Sequence, residues 1–217
     1  MTILLKAEML SGSDWKRVRD IFKKGGMIVY PTETFYGLGV DPFNEIAIKK
    51  LFALKGRDFD KPVSILIKDK KMLLTVVEAI SPLAEVLIKK FWPGPLTIIF
   101  KAKKSIPSVL TGGTGKIGVR ISSNPITQKL LEEIDSPITT TSANPSGEKS
   151  PVTAKEVMDY FGNKIDLVLD GGVLYGKLGS TVIDVTEGEL TVIREGEISI
   201  KQLHDAGCKL KDRMYSE

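Results

Sequence analysis

Three short stretches of this chain put hydroxyls, amides and cations where a strand or a helix should end. Gly26 to Gly39 (GMIVYPTETFYGLG) passes from an apolar segment into a hydroxyl-rich turn closed by Gly37 and Gly39. Lys55-Gly56-Arg57 places two cations one helix later, and Ser142-Ala143-Asn144 puts a hydroxyl and an amide after a later strand. Small donors and cations gathered at element ends suit a small anionic ligand, since they can converge on it from rigid supports.

The wider set of candidates points the same way. The cations are Lys55, Arg57, Lys61, Lys116, Arg120 and Arg194, and the hydroxyls are Thr32, Thr34, Thr140, Ser142, Ser150 and Ser180. Arg120 differs from the others because it lies in an apolar run, IGVRI, where a charge is costly unless it is paired or meets an anion. Such a set suits phosphoryl or nucleotidyl transfer, in which catalysis is mainly positioning and charge neutralisation.

Other chemistries are poorly equipped. The one histidine, His204, sits among charges near the C-terminus, which leaves no histidine-based triad. The one cysteine, Cys208, cannot form an intrachain disulfide and fits a reducing compartment. No His, Cys and carboxylate cluster has metal-ligand spacing, so no metal held tightly by side chains is expected. Mg²⁺ carried in on nucleotide phosphates remains compatible, because it needs few protein carboxylates.

Two glycine patterns are decoys. Gly113-Thr-Gly115-Lys-Ile-Gly118 matches G-x-G-x-x-G but leads into a strand, whereas a dinucleotide fingerprint opens a helix. A P-loop would need glycine at Leu110 and Ser or Thr at Ile117. What survives is a glycine-rich loop whose Lys116 could close over a phosphate.

The elements that must position these residues can be read from caps and periodicity. Helices are expected from Ser13 to Gly25-Gly26, from Asn44 to Lys55-Gly56, from Ser81-Pro82 to Trp92, from Asn124-Pro125 to Ile134, from Thr153 with Glu156 to Gly162, and near Ile200–Ala206. Strands are expected at Met27–Tyr30, Pro62–Ile67, Leu96–Phe100, Lys116–Ile121, Pro137–Thr141, Ile165–Leu169, Thr181–Val185 and Leu190–Arg194, the last two as a hairpin. The order is not a regular βαβ alternation, so the fold class is α/β with a mixed sheet. One domain over residues 1–206 and a polar tail over 207–217 are expected.

Composition agrees with an ordinary globular domain: 217 residues, 42% hydrophobic and 27% charged. The net charge of +4 is mildly basic, which suits a solvated surface, an anionic ligand or nucleic acid. The N-terminus lacks a signal-peptide pattern, and no apolar run approaches the roughly 20 residues that span a bilayer, so a cytoplasmic protein without membrane contact is expected.

The motifs PTETFYGLG, KGR followed by KP, FWPGPLT, GVRIS, TTTSANPSG, STVIDV and IREG occur in one order between Gly26 and Gly196. Together they resemble the YrdC-like L-threonylcarbamoyladenylate synthases of the short, single-domain form. That family joins L-threonine, bicarbonate and ATP, releasing pyrophosphate, for the threonylcarbamoyl modification of tRNA. The resemblance implies an open twisted sheet with flanking helices around a basic cavity, and a nucleotidyltransferase. It assigns Thr34, Arg120, Thr140 and Ser180 to threonine. It assigns Arg57, Lys61, Lys116, Ser142, Ser150 and Arg194 to the nucleotide. Lys55, Arg57, Ser142 and Asn144, its K-x-R and S-x-N pairs, become the catalytic candidates. Mg²⁺ would come with ATP, and downstream threonylcarbamoyl-transfer proteins would take the product, with weak tRNA contact as a further partner. This chain has Phe35 where many relatives have Val or Thr, and Lys61 where some have Asn. Two other readings compete: a carbamoyl-adenylate-forming enzyme on the same fold, and an RNA-binding module without catalysis.

Overall fold

A computed structural model describes residues 1–206; the tail expected over 207–217, Cys208 included, lies outside the described residues. The elements run β1 (Ile3–Lys6), α1 (Gly12–Lys23), β2 (Ile28–Pro31), β3 (Tyr36–Gly39), α2 (Glu45–Lys55), β4 (Ser64–Leu66), α3 (Lys70–Val76), α4 (Pro82–Phe91), β5 (Leu96–Lys101), β6 (Lys116–Arg120), α5 (Pro125–Ile134), β7 (Ile138–Ser142), α6 (Ala154–Phe161), β8 (Leu167–Asp170), β9 (Thr181–Asp184), β10 (Thr191–Arg194) and α7 (Ile200–Asp205).

Local capping chemistry sets most of these bounds. Asn44 accepts from the Ala47 amide to start α2, and Gly56, left-handed at φ 59°, ends it. Asn124 caps α5 with Pro125 at its first turn, and Thr153 with Glu156 closes a reciprocal capping box on α6. The first helix starts earlier than expected. Ser11, not Ser13, is its cap, because Asp14 stands three residues on and completes a box.

Three elements were not anticipated. β1 is a short segment paired with β8; β3 carries two glycines that read as turn; α3 is seven residues opened by the Asp69 cap.

The ten strands form one mixed sheet in the order β1-β8-β2-β3-β7-β4-β6-β5-β9-β10. Its middle strand is β7, antiparallel to β3 with Gly37 opposite Ser142, and antiparallel to β4 with Ser64 opposite Thr140. β4 runs parallel to β6, β5 runs antiparallel to β6 and parallel to β9, and β9 and β10 form the expected hairpin. Helices α1 and α5 bury Trp15, Val18, Phe22, Leu130 and Leu131 against Ile28, Tyr30 and Ile138. A larger core gathers Ile65, Ile98, Phe100, Ile117, Val119 and Ile183 with the apolar sides of α2 and α4.

The same strands that feed this core turn alternate residues the other way. On β6, Ile117 and Val119 are fully buried, while Lys116, Gly118 and Arg120 line an open cavity. This is the period-two alternation of a strand with one face packed and one face open. Among the described residues no helix is long and apolar enough to cross a membrane.

Candidate active site

The cavity has a volume of about 660 Å³ and is walled by strands β3 to β7, β9 and β10 with their connecting loops. Its charged lining is Arg57, Lys116, Arg120 and Arg194 against Asp184 and Glu195. The balance is cationic, as an anionic ligand requires.

The structure brings together Thr34, Arg57, Lys116, Arg120, Thr140, Ser142, Ser150, Ser180 and Arg194, which all line the cavity. They come from elements far apart in sequence. Thr34 sits in a tight hydroxyl turn: Thr32 Oγ1 donates to the Phe35 carbonyl at 2.7 Å, accepts from the Thr34 and Phe35 amides, and lies 3.0 Å from Thr34 Oγ1. Ser180, before β9, shares a hydroxyl contact of 2.9 Å with Thr97 on β5. Arg194, at the end of β10, donates through Nη2 to the Ser180 carbonyl at 2.7 Å and to its hydroxyl at 3.3 Å. Burial, and after it the nearby Arg120 charge, lowers the pKa of Arg194.

Arg120 is 4% exposed and hydrogen-bonds through its side chain to nothing among the described residues. Its charge is met by Glu33, with Nη1 3.5 Å from Oε1. Ser122 donates to the other carboxylate oxygen of Glu33. Arg57 reaches over the loop that follows it, with Nε donating to the Lys61 carbonyl at 3.1 Å and Nη2 to the Pro62 carbonyl at 2.8 Å. Burial lowers its pKa. Lys116 opens β6, so it belongs to a strand instead of a closing loop. Its ammonium is 2.9 Å from Asp184 Oδ2, a hydrogen bond that raises the lysine pKa. Burial pushes the Asp184 carboxyl up, but the hydroxyl and amide of Thr186 together with Lys116 outweigh it, and the net shift is down.

Three candidates are not in the wall. Lys61 is exposed and paired with Asp58 at 2.7 Å, three residues away on the same loop. Lys55 is 3% exposed, and its ammonium donates to the carbonyls of Ser142 and Asn144. Asn144 gives its amide to the Pro145 and Glu148 carbonyls, while its Oδ1 is buried without a partner among the described residues. Lys55 and Asn144 thus stand behind the cavity as struts of the loop that ends β7. The reason for this placement of Lys55 is physical: a buried ammonium without a carboxylate must be hydrogen-bonded, and backbone carbonyls have taken it. Burial, with a smaller push from Arg57, lowers the Lys55 pKa to about 8.

Sequence reasoning missed Glu33, Ser64, Thr97 and Gly118. Ser64, Thr97 and Gly118 line the cavity, and a Cβ on Gly118 would fall 2.4 Å from Ser64 Oγ. The alternation of Lys116, Gly118 and Arg120 along one strand was the signal for Gly118. The acid inside PTET was the signal for Glu33.

A family model for Sua5, YciO and YrdC, described as telomere recombination, matches residues 20–196. A relative from Pyrococcus abyssi named threonylcarbamoyl-AMP synthase is 38% identical over 88% of this chain, which spans only 56% of that protein. A relative of the same name from Vibrio vulnificus is 37% identical over 74% of this chain and 88% of its own length. The solved structure of Pyrococcus abyssi Sua5 complexed with L-threonine superposes with a TM-score of 0.91 at 33% identity, covering all of this chain and 64% of that one.

Proposed function

The chain belongs to the Sua5/YciO/YrdC family, and from that membership we propose that it is an L-threonylcarbamoyladenylate synthase. The reaction is a nucleotidyl transfer: L-threonine, bicarbonate and ATP give threonylcarbamoyl-AMP, with loss of pyrophosphate and water. The observation that carries the reading is a buried arginine, Arg120, whose guanidinium takes no hydrogen bond among the described residues, beside a second arginine, Arg194, in one cationic cavity.

Each reactant has a chemical counterpart in the wall. The carboxylate of threonine takes the planar fork of Arg120, a bidentate match that a lysine could not give. The hydroxyls of Thr34, Thr140 and Ser180 hold the rest of the amino acid. Arg57, Lys116 and Arg194 meet the phosphates, with Ser142 and Ser150 as further donors. These groups are fixed before the ligand arrives, by the Ser180 carbonyl for Arg194 and the Pro62 carbonyl for Arg57. Preorganised donors stabilise charge that develops at the α-phosphate as pyrophosphate leaves. Mg²⁺ enters with ATP as part of that substrate. The volume of about 660 Å³ suits a nucleotide and an amino acid together.

The product is a mixed anhydride that feeds tRNA modification, so downstream threonylcarbamoyl-transfer proteins, and weakly tRNA itself, are the partners. A protein that draws on ATP and serves tRNA belongs in the cytoplasm. Pyrophosphate release followed over time tests the reading. It should require both L-threonine and bicarbonate, and turnover that runs equally well without threonine would overturn it.

A further inference from the structure

We propose that Glu33 is a specificity-determining residue: by cancelling the charge of Arg120 without hydrogen-bonding to it, Glu33 makes that corner of the cavity accept a zwitterion and reject a phosphate. The inference rests on the reading of the Arg120 corner as the amino-acid subsite.

Glu33 stands behind Arg120 and is not part of the lining. The side chains are 15% and 5% exposed, so little solvent screens them from each other. Their closest approach is 3.5 Å, an ion pair too long for a hydrogen bond. Two buried atoms record the mismatch, since Glu33 Oε1 and Arg120 Nε have no hydrogen-bond partner among the described residues. Glu33 itself is held by Ser122 through its other oxygen. Arg120 is thus paired in charge, yet among the described residues its guanidinium is not held by a hydrogen bond, and it still lines the cavity.

This matters because the cavity must hold two anion-binding regions side by side. Arg194 lies close enough to Arg120 for the charge of Arg120 to disfavour that of Arg194. A bare arginine at Arg120 would attract the polyphosphate of the nucleotide as strongly as Arg194 does. A neutral arginine–carboxylate pair offers a dianion little net attraction. It still suits an amino acid, whose carboxylate finds the guanidinium and whose ammonium feels the nearby carboxylate. Removing the Glu33 charge strengthens the hold on phosphate in full but on a zwitterion only in part, because the ammonium loses an attraction as the carboxylate loses a repulsion, so the selectivity moves toward phosphate.

The test is the affinity for L-threonine, by calorimetry, at rising inorganic phosphate and constant ionic strength. In the wild-type protein, phosphate should change threonine affinity by less than about twofold, while in Glu33→Gln it should weaken it about fivefold or more. Ser122→Ala keeps the carboxylate and should behave as wild type. Wild-type protein in which phosphate displaces threonine readily would overturn the proposal whether or not the variant folds. So would a Glu33→Gln variant, folded by circular dichroism, that keeps wild-type resistance to phosphate. Should the wild type bind no threonine, the amino-acid reading fails by itself, and direct phosphate titration judges the pair. Glu33→Gln should then gain a phosphate site that Glu33→Gln/Arg120→Ala lacks, and no gain overturns the proposal.

Discussion

The ammonium of Lys55 lies 2.5 Å from the carbonyl oxygen of Ser142 and 2.5 Å from that of Asn144. One side chain at the end of α2 therefore ties down both backbone ends of the triplet that leaves β7. Lys55→Met should lower the rate of pyrophosphate release about tenfold or more although the residue does not line the cavity, because a loop displaced by about 1 Å disturbs the Ser142 hydroxyl. Steady-state rates with circular dichroism as the folding control check this, and full activity in the folded variant would show that the tie is dispensable.

The same lysine predicts a pH effect on stability. Its ordinary pKa of 10.5 falls to about 8 in the folded chain, mainly through burial. Between those values the unfolded chain keeps a proton that the folded chain has released. Stability attributable to Lys55 therefore rises with pH across that window and is absent below it. Urea unfolding of wild type and Lys55→Met should show a difference that moves in favour of the wild type above pH 8, by roughly 3 kcal/mol at most. A difference that stays flat, or falls, would rule this out.

Arg120 and Arg194 should separate the two reactants. Arg120→Ala should weaken threonine and spare ATP, and Arg194→Ala should weaken ATP most, each by about 10- to 150-fold for a lost charge-assisted contact. Arg194→Ala should also loosen threonine a little, since Arg194 holds the Ser180 carbonyl. Titration of each ligand into each variant decides it. Loss of ATP with threonine retained in Arg120→Ala would reverse the assignment.

Arg57 and Ser142 should behave as one unit, because Lys55 joins the end of α2 to the end of β7. Arg57→Ala and Ser142→Ala should each cost about tenfold or more in rate, and the double variant less than the product of the two. Four rate measurements settle the coupling, and simple multiplication of the single losses would argue against a shared phosphate.

Gly118→Ala should both destabilise the fold and weaken threonine. The added Cβ would meet Ser64 Oγ at 2.4 Å and Thr97 Cγ2 at 3.1 Å, an overpacking worth about 1–3 kcal/mol. Gly118→Ala/Ser64→Ala removes the struck oxygen and should recover part of the melting temperature. No recovery would mean that the strain lies elsewhere.

Much of the scaffold was legible because its signals are local. Asn124-Pro125 and Thr153 with Glu156 announce their helices through caps that need no partner from elsewhere in the chain. β3 was not legible, because Tyr36-Gly37-Leu38-Gly39 has weak strand propensity and owes its conformation to β2 and β7 on either side. The site divides in the same manner. That Arg120 needs an anion or a partner follows from its apolar strand, but that the partner is Glu33, eighty-seven positions earlier, depends on the sheet order. That Lys55 is occupied by carbonyls could not be read from K-x-R spacing, since backbone acceptors carry no residue type.

Arg194 sits on β10, the last strand of the sheet, and anchors to Ser180 just ahead of β9. A chain emerging from the ribosome exposes Thr34 and Arg57 long before either of these residues exists. The cavity has no local version of itself, because its walls are contacts between distant segments, the kind that close late in folding. A nascent fragment that stops short of β10 therefore lacks an assembled cavity, so under the proposed function it would gather neither reactant. Under that function, its ligands would stabilise by mass action only chains whose β9 and β10 have joined the sheet.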